Sequence, residues 1–252
     1  MGLFFRKPLA DGDRIEVAGA VVRLKVSGRA RRISLRLDLS TGEVVAIAPT
    51  ERQLSAAADF AGQRAAWIKS QVAAQPRPVA LVPGQAIEIL GRPCLLAHRP
   101  GRAGFRAETA GAPAQIGVGG DPARFSAGVV RVLKAEALGF FTLRTEAYAQ
   151  ALGKPTPTVT VADARSRWGS CRPPRSHGFG AACEVGRIRY SWRLILAPYA
   201  VADYVAAHEC AHLIEANHSP RFWAVVKNLV GDHRPHRAWL RDHGARLHAF
   251  GG

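Results

Sequence analysis

The sequence predicts an α+β protein in two parts: a β-rich lobe with one helix over residues 1–120, and a domain over 121–252 built on a buried helix. Three observations predict it. Up to about residue 120 the apolar residues fall in short runs, some in strict alternation, punctuated by glycines. Residues 125–152 and 199–216 are long stretches at helical spacing. The second of these is apolar on most faces, yet carries Asp203, His208, Glu209, His212 and Glu215, the mark of a central helix with a few polar groups placed for a purpose. With 252 residues, 48% of them apolar and 21% charged, the chain can bury such a core.

Taken in order, Ile33, Leu35 and Leu37 alternate with Ser34, Arg36 and Asp38. Ser40-Thr41-Gly42 then leads into Val44 to Ala48, the pattern of a β-hairpin. Leu54, Ala57, Ala58, Ala61, Ala65, Trp67 and Ile68 share a helical face, predicting one helix over 51–73 that Pro76 and Pro78 end. Residues 79–120 read as a small meander, and no internal repeat is visible. Val129, Val130, Leu133, Ala137, Phe140, Phe141 and Leu143 predict a helix over about 125–152, closed by Gly153 and Pro155. Residues 158–161 and 187–196 read as strands, the second from Ile188, Tyr190, Trp192 and Leu194 alternating with Arg189, Ser191 and Arg193. Pro198 suits the first turn of the buried helix, Ser219-Pro220 caps a helix over 221–230, and a last helix spans about 235–249.

The formal charge of +16 invites a phosphate-rich partner, because Lys and Arg that neutralise phosphates release counterions. The charge is spread, however: residues 1–126 carry 18 basic and 10 acidic groups and 127–252 carry 17 and 9, with no basic tail. No run of about eighteen apolar residues exists, and only Leu3, Phe4 and Phe5 precede the first charges, too few for a signal segment. A cytoplasmic chain without a membrane partner is therefore expected. Cys94, Cys171, Cys183 and Cys210 form no CxxC pair and are expected as thiols.

His208-Glu209-Cys210-Ala211-His212 is an HExxH pattern. Histidines at i and i+4 stand on one helix face about 6 Å apart along the axis, so both imidazoles can reach one Zn²⁺. Glu209, one step round, is placed to act as general base on a metal-activated water. The competing reading is a pair of core histidines beside a carboxylate, each then needing its own buried partner. A catalytic zinc needs a third protein ligand. His218, just before the Ser219-Pro220 helix start, leads, with Asp232, His233 and His236 as alternatives. No Glu follows Glu215, and Glu215 itself, about 10 Å along the axis from His208, suits a supporting role behind a ligand.

The run Tyr204-Val205-Ala206-Ala207-His208-Glu209-Cys210-Ala211-His212-Leu213, followed by Asn217-His218-Ser219-Pro220-Arg221-Phe222-Trp223, resembles the YgjP-like metallopeptidases, relatives of the SprT-like and WLM zincins. Arg167-Trp168-Gly169-Ser170-Cys171 resembles a second signature of that family, and Trp192 to Pro198 its approach to the active helix. The resemblance implies a zincin-like C-terminal domain that hydrolyses peptide bonds, with His208, His212 and His218 on zinc, Glu209 as general base, and proteins or peptides as substrates. Two departures stand out: residues 172–186 are longer than the usual connection, and Cys210 replaces an aliphatic residue. Cys210 lies about 200° round the helix from His208 and is expected in the core, with a Cys171-Cys183-Cys210 metal site as the minor alternative. Trp168 and Trp223 are expected to pack beside the site, His233, His236, His243 and His248 to lie on a solvated face, and Arg165 or Arg167 to be oxyanion candidates. The reading from another class is a basic nucleic-acid-associated protein, either a SprT-like protease recruited to DNA or a binding module with structural zinc.

Overall fold

Two separate hydrophobic clusters organise the computed structural model, which describes residues 8–38, 42–74, 79–164, 167–174 and 185–251. The chain divides accordingly into two compact units, Met1–Pro76 and Arg77–Gly252.

In the first unit, β1 (Arg14–Val17), β2 (Ala20–Val26), β3 (Ser34–Leu37) and β4 (Val44–Ala48) form a sheet in the order β1-β2-β4-β3. The predicted hairpin is β3 against β4, antiparallel, while β2 runs parallel to β4; turn residues 39–41 lie outside the described residues. Alternation places Val22, Leu24, Val44, Ala46 and Ala48 on one face, where they are buried with Leu54, Ala57, Ala61 and Ile68. These last four come from α1 (Leu54–Gln63) and α2 (Ala65–Ala73), so the single helix expected over 51–73 is in fact two. The break is at Arg64 (φ −104°, ψ 20°), whose N–H is shared between the carbonyls of Phe60 and Ala61. Pro76 and Pro78 fall outside the described residues.

The second unit begins with another four-stranded sheet: β5 (Ala86–Ile89), β6 (Arg92–His98), β7 (Gly104–Arg106) and β8 (Ala114–Val118), in the order β5-β6-β8-β7. This is not the expected meander, because β8 inserts between β6 and β7 and runs parallel to β6. It repeats the topology of the first sheet, including a two-residue turn with both φ positive, Ala18-Gly19 in one and Leu90-Gly91 in the other. The structure thus corrects the reading that no internal repeat is present: its only sequence trace is the five-residue match of Ile15-Glu16-Val17-Ala18-Gly19 with Ile87-Glu88-Ile89-Leu90-Gly91, too short to register as a repeat by pattern alone. The unit boundary also falls near residue 76 rather than at 120. Ile87, Cys94, Leu96, Ile116 and Val118 are buried in the same cluster as Phe125, Val129 and Leu133 of α3 (Phe125–Ala151), so these strands belong to the second core.

The remaining strands, β9 (Thr158–Ala162), β10 (Gly169–Arg172) and β11 (Arg187–Ser191), form a sheet in the order β10-β11-β9. The strand expected over 187–196 stops at Ser191, and Trp192–Leu196 winds into a 3₁₀ turn. All five of its side chains are buried, which a strand alternating between two faces could not do with one face open to solvent. The turn includes Arg193, fully buried, which is ion-paired with Asp163, donates to the carbonyl of Phe250 at 3.1 Å and stands 4.6 Å over the Trp192 ring. The chain is thus fixed where it enters α4 (Tyr199–Ala211), which α5 (Pro220–Val230) and α6 (Arg234–His248) follow. Next along α4, Asp203 accepts from Arg144 Nε at 2.6 Å and from the Tyr148 hydroxyl at 2.9 Å, clamping α4 to α3. The architecture is mixed α+β, with three small sheets and six α-helices among the described residues, and no helix there is long and apolar enough to cross a membrane.

Candidate metal centre

α4 is buried along most of its length, and its last turn presents His208, Glu209 and, at the helix C-cap, His212. The helix ends at Ala211 rather than 216. Beyond it the N–H groups of Leu213 and Ile214 reach back only three residues, to Cys210 and Ala211, and this tighter winding starts the chain reversal. The reversal carries His218 back to α4, just ahead of α5, whose start is capped as the sequence predicts: Ser219 Oγ accepts from the Phe222 N–H at 3.3 Å and Pro220 takes the first turn.

The result is that ligand atoms of His208, His212 and His218 all lie within 4.8 Å of one another, a grouping able to hold a metal ion. His208 Nε2 and His218 Nε2 are 3.1 Å apart, close to the ~3.3 Å between two nitrogens on one tetrahedral Zn²⁺. Two bare lone pairs at that distance repel, so the pair needs a proton or a cation between them. On His212, Nδ1–H donates to the Glu215 carbonyl oxygen at 3.0 Å, which fixes the tautomer and leaves Nε2 unprotonated. Glu215 does stand behind a cluster histidine, through its backbone oxygen rather than its carboxylate. His208 Nδ1 is buried with no partner among the described residues. The fully buried Phe222 floors the cluster, its ring centroid 4.9, 4.6 and 4.7 Å from those of His208, His212 and His218.

Electrostatics favours neutral imidazoles here. Burial first, then the neighbouring His212 and His218, pushes His208 down to about 3, and burial also lowers His212, so these two rings are neutral and each keeps one bare nitrogen that a metal could use. Glu209, 5% exposed, moves the other way: burial raises its carboxyl to about 7, against the opposing charge of Arg167. Three imidazole donors beside a carboxyl poised near neutrality suit a divalent cation of borderline softness and a proton acceptor next to it.

A family model described as the YgjP-like metallopeptidase domain matches residues 31–243. The chain belongs to the YgjP-like metallopeptidase family. Membership places it among metal-dependent peptidases, hydrolases whose substrates are peptides. Comparison with curated proteins and with solved structures returned no match.

Around the cluster of this YgjP-like chain, the other residues singled out from the sequence take varied places. Asp232, His233 and His236 do not join the three histidines. Asp232 is held at 2.8 Å by Arg234 on both carboxylate oxygens, and His233 is stacked 4.5 Å from Trp223 of α5 at 14° and faces Tyr204 of α4 at 6.2 Å. His233 is therefore no solvated-face residue, and neither is His248, buried and stacked 4.7 Å from Trp168. His243 is exposed, with its ring on Trp239, as expected of that face. Trp223 packs beside His218, and Trp168 lies against α6 rather than against the imidazoles. Arg167 is exposed near Glu209, whereas Arg165 lies outside the described residues. Cys210 is in the core with its thiol near the Thr145 carbonyl at 3.9 Å, and Cys183 lies outside the described residues with most of the long connection. Sequence reasoning missed Phe222 as the floor and β10 as a strand. The first had a signal, an aromatic four residues after His218 on a capped helix; the second is too short and polar to carry one.

Proposed function

We propose that the chain is a zincin-type zinc peptidase in which His208, His212 and His218 hold the ion and Glu209 is the general base. The observation that carries this reading is the convergence of the His208, His212 and His218 ligand atoms within 4.8 Å of one another, beside the buried Glu209 carboxyl of the same helix turn as His208. Zinc, when bound, supplies a Lewis acid that polarises the scissile carbonyl and makes water a nucleophile near neutral pH. The Glu209 carboxylate takes the proton of the attacking water and hands it to the departing amine, a transfer for which an acidity near 7 is well matched at both ends. Phe222 and Trp223 pack against the imidazoles and limit their movement, and the Glu215 carbonyl keeps His212 in its ligating tautomer. The buried, unpartnered His208 Nδ1 is compatible with ligation through Nε2, the nitrogen that faces His218.

Stripping the purified chain with a chelator should abolish peptide hydrolysis, and one equivalent of Zn²⁺ should restore it. His218→Ala should lose bound zinc and activity together, because two histidines on one helix leave the ion under-coordinated. Retention of full zinc and full activity in His218→Ala would move the third ligand to Asp232, His233 or His236.

A further inference from the structure

The segment Arg167-Trp168-Gly169-Ser170-Cys171 contributes nothing to the histidine cluster, yet it lies directly against Glu209. We propose that Gly169 is a positioning residue: the space left by its missing side chain is the seat of the Glu209 carboxyl, and Trp168 fastens that seat to α6. The catalytic consequence rests on Glu209 being the general base; the packing does not. A Cβ built on Gly169 would stand 2.6 Å from both Cγ and Cδ of Glu209, and it would also overlap Oε1. Ordinary carbon contacts are about 3.5–4.0 Å. Gly169 is not among the glycines of positive φ, so its backbone would accept alanine and space alone excludes it. Glu209 cannot swing aside cheaply, since the side chain is buried and the overlap reaches Cγ and Cδ rather than the terminal oxygen alone.

The strand itself is held on two sides. Gly169 sits opposite Tyr190 in the β10–β11 register, and the Ser191 N–H donates to the Trp168 carbonyl at 2.8 Å. The Trp168 ring lies 4.7 Å from the His248 ring at 14°, on α6. Gly244, one turn earlier on α6, leaves the room for this: a Cβ there would meet Trp168 Cζ2 at 2.9 Å. Glycine inside a helix is disfavoured, so its presence under the indole marks a demand for space. Two glycines and a stacked pair thus run from α6 through β10 to the carboxyl that handles the proton.

The test is a thermal cycle on the full chain using Gly169→Ala, Glu209→Ala and the double variant, with zinc content and peptide kinetics measured alongside. Gly169→Ala should lower the unfolding midpoint by about 3–8 °C, the overpacking of a filled site. It should lower kcat about 10²-fold with KM and zinc per chain unchanged, since only the base is displaced. In the Glu209→Ala background the same alanine should leave the midpoint unchanged, because the atoms it strikes are gone. Should Gly169→Ala fail to fold, recovery of folding in the double variant gives the same answer. Gly244→Ala should lower kcat by a smaller factor, again at full zinc. An equal midpoint loss in both backgrounds, or an unaltered kcat in Gly169→Ala, would overturn the proposal. A wild-type chain that bound zinc and cleaved no peptide would instead remove the peptidase reading while the thermal coupling still reported the seat.

Discussion

Cys94, Cys171 and Cys210 behave as small apolar side chains. Burial pushes their thiols up to about 11, 12 and 12, with Glu209 adding to the shift at Cys171. A thiol pushed up in this way is a weaker acid and keeps its proton until the pH passes that value, so at pH 8 the native thiolate fraction is about 10⁻³ or less, against about 0.2 for a free cysteine. Site-resolved mass spectrometry should find all three alkylated at least about 100-fold more slowly in the native chain than in denaturant, with rates rising as pH rises. Fast native labelling of Cys210 would contradict its placement. At this scale much was legible. The helical angle from His208 placed Cys210 in the core, and the i, i+4 spacing brought His208 and His212 together. His218 was readable because a Ser-Pro helix start forces the chain to turn near it. Gly169 was not, since the atom that explains it belongs to a side chain far along the sequence.

The helices with strong end signals were read almost to the residue: Gly153 past α3, Ser219-Pro220 before α5 and the last helix, observed as Arg234–His248. The errors share one cause, tertiary contacts overriding local pattern. Alternation continued through Trp192 and Leu194, but five consecutive residues found burial together and the strand gave way to a 3₁₀ turn around Arg193. A run without Gly or Pro suggested helix to 216, whereas the chain leaves α4 after Ala211 and returns with His218. β10 has only four residues, Gly169-Ser170-Cys171-Arg172, and exists because β11 offers it an antiparallel edge.

For the whole molecule, the most consequential misreading was the division at 120, which followed composition: two β-rich stretches looked like one lobe. They are two copies of one sheet topology, and the second contributes Ile87, Leu96, Ile116 and Val118 to the core that carries the histidine helix. A chain of residues 79–252 should therefore melt cooperatively by circular dichroism, while 121–252, stripped of those side chains, should show no cooperative transition. Losing several fully buried aliphatic residues, at roughly 2–5 kcal/mol each, exceeds the ~5–15 kcal/mol that holds a domain folded. Cooperative melting of 121–252 at the same midpoint would restore the boundary at 120. The central claim is that holding the ion and moving the proton are assigned to different side chains of one helix turn. Glu209→Gln tests it most directly, on the full chain, with zinc content and peptide turnover measured on the same preparation. Zinc should stay near one per chain, because no histidine of the cluster is touched, while turnover falls by about 10²–10⁴-fold or more. Full turnover in Glu209→Gln with zinc in place would contradict the account.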